Sequence, residues 1–165
     1  MILDLKRIFL VENERIELKT EVDMTEASQN GGEFASPVSA EIVVENSAGL
    51  VELSAGVSFE YRFLCDRCAS PTERKYAFKF RHILVDKLSD ESGDDYIEAP
   101  DYKLDTDALL RDDILLELPS KFLCKESCKG LCPKCGKNLN EGSCSCNKQE
   151  MDPRLAVLKQ LLSEE

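Results

Sequence analysis

Val57-Ser-Phe-Glu-Tyr-Arg-Phe63, then Cys65-Asp-Arg-Cys68, then Tyr76-Ala-Phe-Lys-Phe80, is the stretch on which the fold turns. Val57, Phe59, Tyr61 and Phe63 alternate with Ser58, Glu60 and Arg62. Tyr76, Phe78 and Phe80 alternate in the same way with Lys79 and Arg81. A period of two with aromatic and β-branched residues on one side is the pattern of a strand with one face buried. The cysteine-bearing segment between the two runs supplies the turn, so Cys65 and Cys68 would sit on a hairpin knuckle.

The same reading extends toward the N-terminus. Val38, Ala40, Ile42 and Val44 alternate with polar partners, and Ile16, Leu18 and Val22 keep mostly even spacing. Gly31-Gly32 and the segment from Asn46 to Gly49 provide turns between these runs. An antiparallel sheet, open or partly closed into a barrel, is expected.

Downstream, Leu88 to Tyr102 contains Ser89-Asp-Glu-Ser-Gly-Asp-Asp, polar and without periodicity, and reads as a mobile loop. A helix is expected next, capped by Asp105 or Thr106. Leu109, Leu110, Ile114, Leu115 and Leu118 form its apolar face and Pro119 ends it. Asp152-Pro153 marks a second helix start, with Leu155, Leu158, Leu161 and Leu162 as a stripe for core packing.

The formal net charge of −11 is unevenly spread. Residues 86–113 hold eleven carboxylates against Lys87, Lys103 and Arg111, a net −8. Residues 121–137 hold five lysines against Glu126, a net +4. A general basic face for nucleic acid is therefore excluded, and RNA contact would be local to the lysine-bearing segment. No run approaches the roughly 20 apolar residues of a membrane helix. Asp4 lies inside the first apolar run and the basic residues follow it, the reverse of a secretory signal. A cytoplasmic protein is expected.

Eight cysteines in a reducing compartment read as metal ligands, not disulfides. The clearest cluster is Cys132-Pro-Lys-Cys135-Gly136 followed by Cys144-Ser-Cys146. A CxxC turn sets two sulfurs on one side of a tight loop, and four thiolates close a tetrahedron around zinc. Residues two apart on an extended chain are nearly 7 Å apart, about twice the spacing of sulfurs sharing a zinc. Cys144 and Cys146 can thus share one ion only if Ser145 bends; otherwise Cys128 is drawn in. Cys65, Cys68, Cys124 and Cys128 supply a second set, giving one or two structural four-thiolate sites. Lys121, Lys125, Lys129, Lys134 and Lys137 would offset the thiolate charge or touch RNA phosphate.

The expected class is therefore α+β: the sheet or partial barrel, two or three short helices, and a C-terminal zinc-ribbon-like segment. Residues 1–120 would form a strand-rich body with the acidic loop 86–113 and a closing helix. Residues 121–165 would form a zinc-binding tail with a C-terminal helix. No enzyme is expected. His82, the single histidine, has no nucleophile motif beside it, and the carboxylate run at 90–95 lacks calcium-loop spacing. There is no phosphate-binding glycine loop and no nucleophile elbow.

Leu118-Pro119, Cys124-x3-Cys128-Lys-Gly-Leu-Cys132-Pro-Lys-Cys135-Gly-x-Asn-Leu-Asn140, Cys144-x-Cys146 and Asp152-Pro-Arg-Leu155 together resemble the YceD family of large ribosomal RNA subunit accumulation proteins. Cys65-x2-Cys68 in a strand-rich half agrees. The resemblance implies a role in accumulation or processing of large-subunit ribosomal RNA in bacteria and plastids, and carries no enzymatic activity. Some family members keep the first cysteine pair and little of the ribbon, which implies that Cys65 and Cys68 share a site with Cys124 and Cys128. The expected partner is a basic ribosomal protein or a pre-ribosomal particle, with no membrane. Two alternatives stand beside it: a zinc-stabilised interaction module for another basic partner, and a thiol redox protein using Cys65 and Cys68.

Overall fold

In a computed structural model of the chain, residues 1–25, 27, 31–87 and 96–146 are described. The strands are β1 (Ile2–Asp4), β2 (Arg15–Val22), β3 (Glu33–Phe34), β4 (Val38–Ser47), β5 (Leu50–Leu64), β6 (Pro71–Val85), β7 (Tyr96–Glu98) and β8 (Lys103–Asp105). The helices are α1 (Lys6–Leu10) and α2 (Thr106–Glu117).

The main sheet runs β2-β4-β5-β6-β7 and curls into a half-barrel, with β3 pairing on β5 beyond the end of β4. Its long central strand buries every second residue from Val51 to Phe63. β4 answers with Val38, Ala40, Ile42, Val44 and Asn46. The pairs Phe59–Tyr76 and Val57–Phe78 put the aromatic runs of β5 and β6 on one face, as their periodicity predicted. β4 turns into β5 through Ala48 and Gly49, both at positive φ, the geometry a two-residue hairpin needs to match strand twist.

β1 and α1, absent from the sequence expectation, cover one end of this face. Leu5 and Ile8 are fully buried there. Asn46 is buried with them without an orphaned amide, since its Nδ2 donates to Ile8 O and its Oδ1 accepts from Gly49 N. α2 packs through Leu110 and Ile114, and its N-cap is Asp105, whose side chain accepts from the amides of Asp107 and Ala108. The helix stops at Glu117. Leu118 is extended, as the residue before a proline tends to be.

One expectation changes. The stretch up to Tyr102 is not loop throughout: β7 pairs with β6 in parallel and a 3-10 turn covers Pro100–Tyr102, while just beyond it β8 pairs with β1. Ala99 and Leu104 are buried; too few apolar residues stand here to reveal a period, and pairing across the chain supplies the structure. The rest of that loop, residues 88–95, and the expected C-terminal helix with its leucine stripe lie outside the described residues. Among those described, no helix is long and apolar enough to cross a membrane.

Phe122 closes the core toward the cysteines. Its ring is buried, stacked on Tyr61 with centroids 5.2 Å apart and 5.0 Å from Phe63. Its amide donates to Asp66 Oδ2 at 2.6 Å, and Asp66 N donates back to Phe122 O at 2.8 Å. The chain entering the cysteine-rich segment is thus fastened to the turn between β5 and β6.

Candidate metal centre

The eight sulfurs gather into two groups of four. Cys65, Cys68, Cys124 and Cys128 form one; Cys132, Cys135, Cys144 and Cys146 form the other. Within each group every pair of sulfurs lies within 4.8 Å. In the first, Cys65 Sγ and Cys128 Sγ are 3.8 Å apart, and Cys68 Sγ and Cys124 Sγ are 3.6 Å apart. Ligands about 2.3 Å from a tetrahedral zinc stand roughly 3.8 Å from one another, and these two separations match that spacing. Cys128 belongs to the first group and both Cys144 and Cys146 to the second, the alternative that needed a bend at Ser145. No strand spans residues 143–146, so the extended-chain separation does not apply.

Both CxxC turns are built alike. In the first, Ala69 N donates to Cys65 O and Cys65 N to Ser70 O; in the second, Gly136 N donates to Cys132 O and Cys132 N to Lys137 O. The residue after the second cysteine has positive φ in each case, 54° at Ala69 and 71° at Gly136. Gly136 takes this conformation freely, whereas Ala69 takes it with strain.

The turns turn backbone amides toward sulfur. Cys65 is buried, which opposes ionisation, but the amides of Cys124, Arg67 and Cys68 outweigh that and lower its pKa to about 6. Cys132 is lowered to about 6 by the amides of Cys135 and Lys134. Cys128 is lowered chiefly by the side chain of Asn140. Burial and hydrogen bonding with neighbouring sulfurs push Cys124 up to about 12; the hydrogen bond with Cys135, then burial, does the same at Cys146. Each group thus holds at least one thiolate ready for a cation and one proton to be displaced.

The groups differ in exposure. Cys65, Cys68 and Cys128 are buried; in the second group Cys132 is buried, Cys135 is exposed and the other two are half-buried. Arg67 and Arg74 brace the first group: Arg67 Nη1 donates to Cys128 O at 3.0 Å and Arg74 Nη2 to Leu123 O at 3.0 Å. Lys121, Lys125, Lys129, Lys134 and Lys137 are all exposed around the two groups. Lys137 donates to Ser143 O. His82 is half-buried away from the sulfurs, its Nε2 2.8 Å from Asp113 Oδ2, and ties β6 to α2.

The match to the family model of large ribosomal RNA subunit accumulation protein YceD covers residues 53–162, which include all eight cysteines. The chain belongs to the YceD family. It is 26% identical over 132 residues to the uncharacterized protein YlbN of Bacillus subtilis (strain 168), covering 79% of this chain and 77% of that one. A Zea mays protein named large ribosomal RNA subunit accumulation protein YCED homolog 1, chloroplastic, is 27% identical over 164 residues, covering 78% of this chain and 56% of that protein. Its Arabidopsis thaliana namesake is 40% identical over 50 residues, 30% of this chain and 16% of that protein. This YceD chain therefore spans only part of its plant relatives. No solved structure matches it.

In the sequence, Asn138-Leu-Asn-Glu-Gly142 reads as turn residues that return the chain to Cys144. The structure brings Asn138 and Asn140 against the first group, together with Ser70, whose Oγ is 3.3 Å from Cys68 Sγ. An asparagine pair two apart in a ligand-bearing loop was the available signal. It was ambiguous, because asparagine is also an ordinary turn residue.

Proposed function

We propose that this chain acts without catalysis in the accumulation and processing of large-subunit ribosomal RNA, as a zinc protein whose eight cysteines hold two structural ions. The observation that carries the reading is that both four-sulfur groups lie within the YceD-matching region. Four thiolates complete the coordination of zinc and leave no place for a reacting water. Cys65, Cys68, Cys124 and Cys128 would clamp the β5–β6 turn to the downstream chain; Cys132, Cys135, Cys144 and Cys146 would fold the ribbon.

Charge favours a basic protein partner over bare RNA. Residues 121–146 carry five lysines against Glu126 and Glu141, while each zinc with four thiolates carries −2. The cysteine segment is then near neutral. The acidic body repels phosphate. A basic ribosomal protein on a pre-ribosomal particle in the cytoplasm suits both, with the exposed lysines adding local RNA contact.

Zinc analysis and sedimentation test this. Two zinc ions per chain and co-sedimentation with large-subunit precursors at low salt are expected. One ion per chain, or no association at low salt, overturns it. The net −8 over residues 86–113 favours a second reading, an interaction module for a non-ribosomal basic partner, which a pull-down recovering one such protein would support. Free, reactive thiols in metal-replete protein would support redox use of Cys65 and Cys68 instead.

A further inference from the structure

Asn140 belongs to the loop between Cys135 and Cys144, two residues of the ribbon group, yet its side chain works at the other group. Its Nδ2 lies 3.3 Å from Cys128 Sγ and 2.9 Å from Asn138 Oδ1, and its Oδ1 accepts from Lys129 N at 2.9 Å. The amide can point only one way. Lys129 N–H requires the oxygen, and the two acceptors require the NH2, so the carbonyl and both N–H bonds are engaged.

Asn138 makes a parallel link. Its Nδ2 lies 3.4 Å from Ser70 Oγ, which in turn is 3.3 Å from Cys68 Sγ. Its Oδ1 accepts from both the backbone and side-chain nitrogens of Asn140. The backbone of this loop reaches the rest of the protein through Leu139 N to Gly130 O and the bridge between Leu131 and Asn138. Leu131 N donates to Arg67 O inside the first cysteine turn. Ordering the loop through its flanking cysteines therefore sets the amide that donates to Cys128 and the amide that holds Ser70 beside Cys68.

We infer that Asn140 is a positioning residue that couples the two groups, so that a cation in the ribbon group raises the affinity of the group formed by Cys65, Cys68, Cys124 and Cys128. The inference rests on the metal-binding reading above. An N–H directed at a thiolate stabilises its negative charge, and bonds of this kind to a ligand are typically worth 10–100-fold in metal affinity. The coupling is reciprocal, as linkage requires.

The test is zinc competition against a chromophoric chelator, with cobalt absorption reporting tetrahedral thiolate coordination, in the full chain under a phosphine reductant. Asn140→Ala is expected to weaken the first group 10–100-fold and to leave the intrinsic affinity of the ribbon group, read with Cys65→Ser/Cys68→Ser, within about threefold. Removing the ribbon group with Cys144→Ser/Cys146→Ser is expected to weaken the first group by a similar factor. Combined with Asn140→Ala, that loss should not multiply. Asn140→Asp keeps the acceptor for Lys129 N but sets a carboxylate beside sulfur, and should weaken the first group at least as much as alanine. Circular dichroism of each variant separates this from unfolding.

Unchanged affinity in folded Asn140→Ala, or fully multiplicative losses, overturns the coupling while leaving two zinc sites intact. Failure of the parent chain to bind either metal overturns both this inference and the metal reading.

Discussion

Replacing Phe122 with alanine tests how the cysteine-rich segment is joined to the sheet. The ring is 1% exposed and meets Tyr61 and Phe63 at centroid distances of 5.2 and 5.0 Å. Truncating a buried phenylalanine costs about 3–5 kcal/mol, and loss of the aromatic pairs places this site toward the upper part of that range. With a urea m-value of about 2 kcal/mol/M, the unfolding midpoint should fall by roughly 2–2.5 M. For a domain worth about 5–15 kcal/mol this is severe but need not abolish folding. The bonds between Phe122 and Asp66 are backbone amide to carboxylate and amide to carbonyl, so the mutation spares the groups themselves and removes only the packing that holds them in register. Zinc affinity should fall at Cys65, Cys68, Cys124 and Cys128, with the intrinsic affinity of the ribbon group far less affected. Urea titrations with zinc and with chelator, together with competition for each group, measure both effects. A cost below about 1 kcal/mol would refute the reasoning, because it would mean that Phe122 is not part of the core that positions the first group.

Gly32→Ala should destabilise by about 1–3 kcal/mol in thermal or urea unfolding, because a Cβ there would lie 2.4–2.6 Å from the buried Tyr61 ring; an unchanged midpoint would contradict that packing. Ala69→Gly should stabilise by about 0.5–1 kcal/mol through relief of the left-handed backbone, less the unfolded-state entropy of glycine, and a loss of stability would show that φ at Ala69 is not strained. The metal-free chain should be most stable near pH 9. Cys65 and Cys132, lowered from 9.0 to about 6, stabilise the fold above pH 9 and lose that contribution as pH falls toward 6. Cys124 and Cys146, raised from 9.0 to about 12, favour the fold below pH 9 and lose that contribution as pH rises toward 12. Urea midpoints in chelator that stay flat from pH 6 to pH 9 would refute this assignment.

The strands were legible because burial on one face of a pleated sheet writes a period of two into the residues that face it. Val57 to Phe63 and Tyr76 to Phe80 carry that pattern, and α2 carries its helical counterpart with a cap at Asp105 and a stop before Pro119. β1, β3, β7 and β8 span two or three residues each. A period cannot show in so short a run, and their partners lie far along the chain: Ile2 pairs with Asp105 and Phe34 with Tyr61.

By itself the sequence determined that the cysteines come as close-spaced pairs suited to thiolate coordination, since spacing is a local property. Which pairs meet is not local. Cys65 reaches Cys128 across 63 residues and Cys68 reaches Cys124 across 56, brought together by the β5–β6 turn and by Phe122 seated in the core. The placement of Asn140 beside Cys128 is likewise tertiary, because the ribbon loop must first be folded before its amide faces another group's sulfur.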